Sequence, residues 1–298
     1  SIRWIEKKIN EYMNNLLKTK DKDYVIASDT DSVYITFDVL IDKLKPNKPV
    51  DFLDKIAKEK IEPFIDKSYQ ELAEYLNAYE QKMQMKREVI ADKGIWTAKK
   101  RYILNAHDIE GVRYKEPTLK IMGIEAVKSS TPAPCRKKIK EALKIMMSGN
   151  EKELNTFIQN FRDEFLTLQP EDIAYPRSVN GLSKWSETHT LFKKGAPIHV
   201  KGGILYNHLV KKNKLSRYYP LIQEGDKIKF LYLKLPNIYQ SSAISFITTL
   251  PKQLDFKVDY ELQFEKSFIE PLNFIIEKIS WFVDRTYGTQ GTLEDFFA

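Results

Sequence analysis

Apolar and polar residues alternate on both sides of Asp29-Thr30-Asp31-Ser32, with Val25 and Ala27 before it and Val33, Ile35 and Phe37 after it. A period of two is that of a half-buried strand. Asp-Thr-Asp-Ser is rich in side chains that bond their own backbone, which favours a tight turn. Residues 24–37 therefore predict a β-hairpin with two carboxylates at its tip. The period then changes to that of helices. Ile2, Ile5, Ile9, Met13 and Leu16 predict an amphipathic helix from almost the first residue. After a loop over 45–49, Asp51 is placed to cap a helix containing Phe52, Ile56, Ile61, Phe64, Leu72 and Tyr75, kinked at Pro63. Residues 83–123 read as several strands, with Asp108-Ile109-Glu110-Gly111 turning between Tyr102-Ile103-Leu104 and Val112-Arg113-Tyr114. Together with the first hairpin they would complete one sheet.

From Ser130-Thr131-Pro132 onward the pattern is helical: Ile139, Leu143 and Met146 share one face, and Leu154, Phe157, Ile158, Phe161 and Phe165 another. Residues 170–260 mix loops with short strands such as 229–234, and a last helix is expected over roughly 264–282. No internal repeat is visible. The fold class is α+β: an antiparallel sheet with packed helices, then a largely helical part with a small β and loop subdomain.

The two carboxylates of the first turn suit a divalent cation, because oxygen ligands are what Mg²⁺ prefers. An acidic turn that is simply solvated is the plain alternative. A sharper rival is a haloacid-dehalogenase-type phosphatase, whose nucleophile loop also reads Asp-x-Asp-x-Thr/Val, as Asp29 to Val33 does. That fold needs the loop to leave a buried parallel strand and enter a helix. Alternation after Ser32 predicts a returning strand instead, and no later Lys with paired Asp completes such a site.

Composition narrows the setting. The 298 residues, 42% hydrophobic, allow one large domain or two modest ones with real cores. No apolar run of about 18 residues and no signal peptide are visible. Cys135 is the single cysteine, which excludes an internal disulfide and a cysteine-based metal site and suits a reducing cytoplasm. The formal charge of +7 is unevenly spread. Thirteen Lys or Arg face five acids between Lys93 and Lys144, and six lysines face none between Lys193 and Lys214. Such surfaces attract a nucleic-acid backbone through counterion release.

Four motifs in order carry a resemblance. Asp29-Thr30-Asp31-Ser32 on its hairpin resembles motif C of the family B DNA polymerases. Trp96-Thr97-Ala98-Lys99-Lys100-Arg101-Tyr102 resembles that family's Lys-Lys-Arg-Tyr motif. Residues 116–125, Glu-Pro-Thr-Leu-Lys-Ile-Met-Gly-Ile-Glu, and Lys128-Ser129-Ser130-Thr131-Pro132 resemble the replicative polymerases of T-even-type bacteriophages in particular. The resemblance implies a DNA-directed DNA polymerase, a nucleotidyltransferase working in the cytoplasm of an infected bacterial host. Residues 1–130 would be the C-terminal part of its palm, 131–285 its thumb, and 286–298 a tail.

The resemblance also assigns roles. Asp31 is the firmer ligand of two Mg²⁺ ions, with Asp29 beside it in a hydrogen-bonding or water-mediated role, and Glu88 is a further acidic residue near the metals. The plain reading of Glu88 is a surface Glu paired with Arg87 or Lys86. Lys99, Lys100, Arg101 and Tyr102, expected on a strand with alternating faces, would hold the primer-terminal base pair through its minor groove. Lys120, Lys128, Ser129, Ser130 and Thr131 would contact phosphates, with helix capping ahead of Pro132 a compatible role for Ser130-Thr131. Lys201, Gly202, Tyr206 and Asn207 would do the same in the thumb, where Gly202-Gly203 is otherwise read as a turn or bulge. Gln290, Leu293, Phe296 and Phe297 resemble a peptide that binds a sliding clamp. The partners implied are primer–template DNA, deoxynucleoside triphosphates, the clamp, and an N-terminal polymerase portion carrying the motif A aspartate, fingers and exonuclease. With no initiator Met and a helix under way at once, the expectation is the interior of a longer protein or one polypeptide of a split enzyme, inactive alone. A DNA-binding and clamp-tethering module without chemistry is the reading from another class.

Overall fold

The computed structural model describes residues 1–285. The chain divides into two compact units, one over Ser1–Gly123 and one from Ile124 onward. The class is α+β, with small antiparallel sheets and packed helices.

The first unit opens with α1 (Ile2–Leu17), which buries Ile5, Ile9, Met13 and Leu17. The buried stripe follows strict i, i+4 spacing, so Leu17 replaces the expected Leu16, which is 52% exposed. β1 (Val25–Ser28) and β2 (Val33–Ile35) form the predicted antiparallel hairpin. It is followed by α2 (Asp38–Leu44) and α3 (Pro49–Ile56). α3 starts two residues before Asp51: Pro49 occupies its first turn, where a missing N–H costs nothing, so Asp51 sits inside the turn instead of capping it. A π-helical turn (Ala57–Ile61) leads into α4 (Glu62–Tyr75) just ahead of Pro63. Widening the helix there accommodates a residue that cannot donate to the ladder.

Ile65, Tyr69 and Leu72 of α4 close the core over α1, joined by Tyr24, Val25, Leu40 and Ile61. The Trp4 indole donates to the Ser68 carbonyl at 2.9 Å, and the rings of Tyr12 and Phe64 stack 4.3 Å apart. A three-stranded sheet completes the unit: β3 (Val89–Ala98), β4 (Arg101–Ile109) and β5 (Val112–Met122), in that order. The β4–β5 turn is two residues, Glu110 and Gly111, both at positive φ, so Asp108 and Ile109 belong to the strand. The hairpin β1–β2 is not hydrogen-bonded into this sheet, so the single sheet expected from sequence is two separate ladders. Lys99 and Lys100 are also not on a strand. They form the β3–β4 turn, with Lys100 at φ 62°. Alternation counted through them fails because the strand reverses there.

The second unit begins with a 3₁₀ turn (Glu125–Val127), then α5 (Ala133–Ser148) and α6 (Glu151–Phe165). Asn150 caps α6 by accepting the Glu153 N–H at 3.0 Å. There follow α7 (Pro170–Ile173), β6 (Tyr175–Ser178), α8 (Leu182–Trp185), a short hairpin of β7 (Ser186–Glu187) and β8 (Leu191–Phe192), and α9 (Ile198–Lys212). β9 (Lys227–Tyr232) lies between β10 (Ala243–Phe246) and β6. The final helical stretch is α10 (Tyr260–Phe264), a π-helical turn (Glu265–Ile269) and α11 (Glu270–Ile276), ending in a 3₁₀ turn (Glu277–Ile279). It thus starts four residues before, and stops three short of, the span expected from periodicity. Its inward face meets α6 through Phe161, Phe165, Phe264 and Phe268; the centroids of Phe161 and Phe268 are 4.7 Å apart. No helix among the described residues is long and apolar enough to cross a membrane.

Candidate active-site and nucleic-acid surfaces

Three stretches of sequence meet in the first unit. The first is the acidic turn, closed by the Asp29 N–H donating to the Ser32 carbonyl at 2.9 Å. The Asp29 carboxylate accepts the Thr30 N–H at 2.7 Å and faces the Lys100 ammonium at 3.5 Å. The Thr30 backbone bond holds this carboxyl below the usual carboxylate range; partial desolvation opposes it, and the Lys100 charge reinforces it. Asp31 is exposed at the same turn.

The second stretch is the β3–β4 turn with its flanking aromatics. Tyr34 on β2 meets Trp96 at 5.5 Å and Tyr102 at 5.3 Å, both edge-on. Burial, then the Tyr102 hydroxyl, pushes the Tyr34 phenol well above its ordinary value, and the charge of Glu88 adds to the effect. Lys99, Lys100 and Arg101 are exposed. The third stretch is Glu88, just ahead of β3. It pairs with Lys120 on β5, and not with Arg87 or Lys86. Its backbone carbonyl accepts the Glu110 N–H at 2.6 Å. Lys100 is thus paired with Asp29, Tyr34 packs on Trp96 and Tyr102 beside that turn, and Glu88 is paired with Lys120.

Arg87 does something the sequence did not announce. Its guanidinium bonds Asp108 and, at 2.6 Å, Asp54, and its N–H donates to Glu62 at 2.8 Å. Arg113 closes on the other Asp108 oxygen at 3.3 Å. This buried network anchors the residue next to Glu88. The available signal was Asp108 itself, an acid between Ala106 and Ile109 in an apolar strand, where a buried charge demands a cation.

In the second unit, Lys128 pairs with Glu125 at 2.6 Å. Thr131 is buried, and its N–H donates to the Lys128 carbonyl at 3.1 Å. Pro132 is the residue that enters α5, and no side chain caps that helix. Gly202-Gly203 is neither a turn nor a bulge but part of α9. A Cβ on Gly202 would lie 2.7 Å from the Ser245 nitrogen on β10, so glycine there permits helix and strand to touch. Tyr206 is 2% exposed and donates its hydroxyl to the Pro220 carbonyl at 3.1 Å. The Asn207 amide bonds the Ile222 carbonyl and N–H, each at 2.8 Å. Lys201 holds its ammonium 5.6 Å from the centre of the Phe192 ring. Gln290, Leu293, Phe296 and Phe297 lie outside the described residues. Among the described residues no group of three His, Cys, Asp or Glu is disposed to hold a metal ion.

No family model matches the chain. Two relatives do. It is 39% identical over 292 residues to the DNA-directed DNA polymerase of Escherichia phage RB69, and 35% identical over 291 residues to that of Enterobacteria phage T4. Each comparison covers 91% of this chain and 32% of the relative, so the chain spans about a third of their length. It is accordingly a homologue of one portion of these phage DNA-directed DNA polymerases.

Proposed function

We propose that the chain is the C-terminal portion of a DNA-directed DNA polymerase, its first unit serving as part of the palm and its second as the thumb. The observation that carries this reading is the pairing of the Asp29–Ser32 turn with the Lys99–Lys100 turn, beside the packing of Tyr34 on Tyr102, in a homologue of phage polymerases. The resemblance assigns the acidic turn and Glu88 to the metals and the Lys99–Tyr102 segment to the primer-terminal pair.

Asp29 and Asp31 are hard oxygen donors on an exposed turn, and Asp29 is held in its charged form. They fit one flank of a Mg²⁺ site, and the remaining carboxylates come from the rest of the polymerase. Asp29 and Asp31 would hold such ions from this side, and the chemistry the ions would supply is activation of the primer 3′-oxygen and stabilisation of the leaving pyrophosphate. Lys100 balances the charge of Asp29 while the ligands are incomplete. Lys99, Lys100, Arg101 and Tyr102 face the minor groove of the primer-terminal pair, where every correct pair offers nearly the same acceptors. Lys120 in the first unit, and Lys128, Ser129, Ser130 and Lys201 in the second, are phosphate contacts in this reading, while the buried Thr131 braces its own loop. Gly202, Tyr206 and Asn207 support the second unit's contacts from inside α9. The terminal peptide through Phe297 tethers a sliding clamp. A haloacid-dehalogenase-type site is disfavoured because the acidic loop returns into an antiparallel strand.

The test is primer extension with Mg²⁺ and deoxynucleoside triphosphates, using the chain alone and mixed with the polypeptide that corresponds to the relatives' other two thirds. Extension in the mixture only, lost in Asp31→Ala, is the expected result. An inactive mixture whose chain still binds primer–template would leave a binding module and sink the catalytic role of Asp31.

A further inference from the structure

Arg177 on β6 is anchored at one nitrogen. Its Nη1 donates to the Ser130 carbonyl at 2.6 Å and to the Pro176 carbonyl at 2.8 Å. The guanidinium lies 5.2 Å from the centre of the Tyr175 ring and 5.9 Å from that of Phe230, and those two rings stack on each other at 5.0 Å. Position and plane are therefore fixed on several sides. A guanidinium has five donors in a rigid fork. With both carbonyls on Nη1, the donors on Nε and Nη2 are preset without a protein acceptor among the described residues.

The charge is also left unbalanced. Arg177 is half-buried and pairs with no carboxylate among the described residues. His199 nearby adds no competing cation, because burial and then the Arg177 charge lower its pKa. Ser130, the residue Arg177 holds, belongs to the loop of Lys128 and Ser129. A planar, stacked, unneutralised fork beside such a loop matches the geometry of a phosphate, which Arg binds through two parallel N–H bonds.

We infer that Arg177 binds one backbone phosphate of the nucleic-acid duplex while its other edge fixes the Lys128–Thr131 loop. The inference rests on the polymerase reading above and adds a phosphate contact that sequence patterns did not single out.

The experiment measures binding of the full chain to primer–template duplexes over a range of salt, with one phosphate at a time replaced by a neutral methylphosphonate. For the wild-type chain several positions are expected to weaken binding, and the one that faces Arg177 by about tenfold at low salt, the size of a charge-assisted bond. For Arg177→Met the slope of log affinity against log salt falls by about 0.9 on unmodified duplex, and that same methylphosphonate has no further effect. A role confined to bracing the loop would lower the melting temperature yet leave every methylphosphonate penalty in place, which overturns the inference. If Arg177→Met does not fold, Arg177→Gln, which keeps a donor for the Ser130 carbonyl but no charge, goes through the same scan, where an unreduced penalty at every position also overturns the inference. A wild-type chain that binds no duplex would sink the polymerase reading itself. Binding without an Arg177-dependent phosphate sinks this inference alone.

Discussion

The Lys100 ammonium stands 3.5 Å from the Asp29 carboxylate, so the turn joining β3 to β4 supplies the countercharge of the turn joining β1 to β2. Lys100 achieves this from φ 62°, a backbone region that residues other than glycine rarely adopt. Its side chain remains 63% exposed, so the pair is a solvated contact and not a buried lock.

This predicts how Asp29 titrates. Its folded-state pKa lies below the ordinary 3.8, chiefly through the Thr30 N–H and secondarily through Lys100. Lys100→Met should raise it only part of the way back, since the backbone bond survives. A depressed carboxylate favours the folded state above its ordinary pKa, and that contribution is lost as pH falls through the folded value. Following the Asp29 carboxyl carbon by NMR from pH 6 downward measures both shifts. Identical curves for the two proteins would show that Lys100 contributes nothing.

Arg87 leads to a larger effect. Asp108 is 1% exposed and Arg87 10%, and Arg87→Met strands a buried carboxylate. Breaking a buried pair from one side costs about 3–5 kcal/mol. The loss here should fall toward the lower end, because Arg113 and the Gly111 N–H, at 3.3 and 2.9 Å, still reach Asp108. Urea unfolding measures it. Arg87→Met combined with Asp108→Leu should recover much of the loss, and a double variant as unstable as the sum of the two singles would refute the pairing.

Periodicity identified several elements whose one side faces a core, but it missed α9, which lies where loops and short strands were expected. Ile5, Ile9 and Met13, Leu154 and Ile158, and the alternation around Asp29-Thr30-Asp31-Ser32 all have that character. It failed where a pattern crosses a reversal, as at Lys99-Lys100, whose residue types suit a strand and a turn equally. It also failed at Gly202-Gly203, because a glycine demanded by close packing reads the same as one demanded by a turn. The acidic turn and the Lys-Lys-Arg-Tyr motif were legible as chemistry. Their meeting through Tyr34 was not, because contacts between separate ladders leave no spacing in the sequence. Arg87 and Arg177 were hidden for a related reason: charged residues look solvated until their burial is known.

Cys135 lies fully buried on α5, 3.2 Å from the Ser267 hydroxyl. Burial pushes its thiol up to about 12, with the Ser267 bond offsetting only part of the shift. The thiolate is the nucleophile. Iodoacetamide at pH 8 should therefore leave the folded chain unlabelled and modify it promptly in urea. Equal labelling rates in the two conditions would mean that α5 separates readily from the π-helical turn that carries Ser267.

Two adjacent glycines in α9 should respond in opposite directions to the same change. A Cβ at Gly202 would sit 2.5 Å from the Ser245 Oγ, 2.7 Å from its nitrogen and 2.9 Å from the Ile244 carbonyl carbon. Two of those atoms are backbone of β10 and cannot rotate away, so Gly202→Ala must push helix and strand apart at a cost of about 1–3 kcal/mol. At Gly203 the nearest atoms are the ends of Leu182, Ile222 and Val179 side chains at 3.5 Å or more, which is ordinary contact. Gly203→Ala then gains helix propensity of about 0.5–1 kcal/mol with no clash to offset it. Thermal melting of the two variants beside the parent decides the matter. Stabilisation by both would mean that α9 does not rest on β10 as described, and destabilisation by both would mean that the space beside Gly203 is already filled.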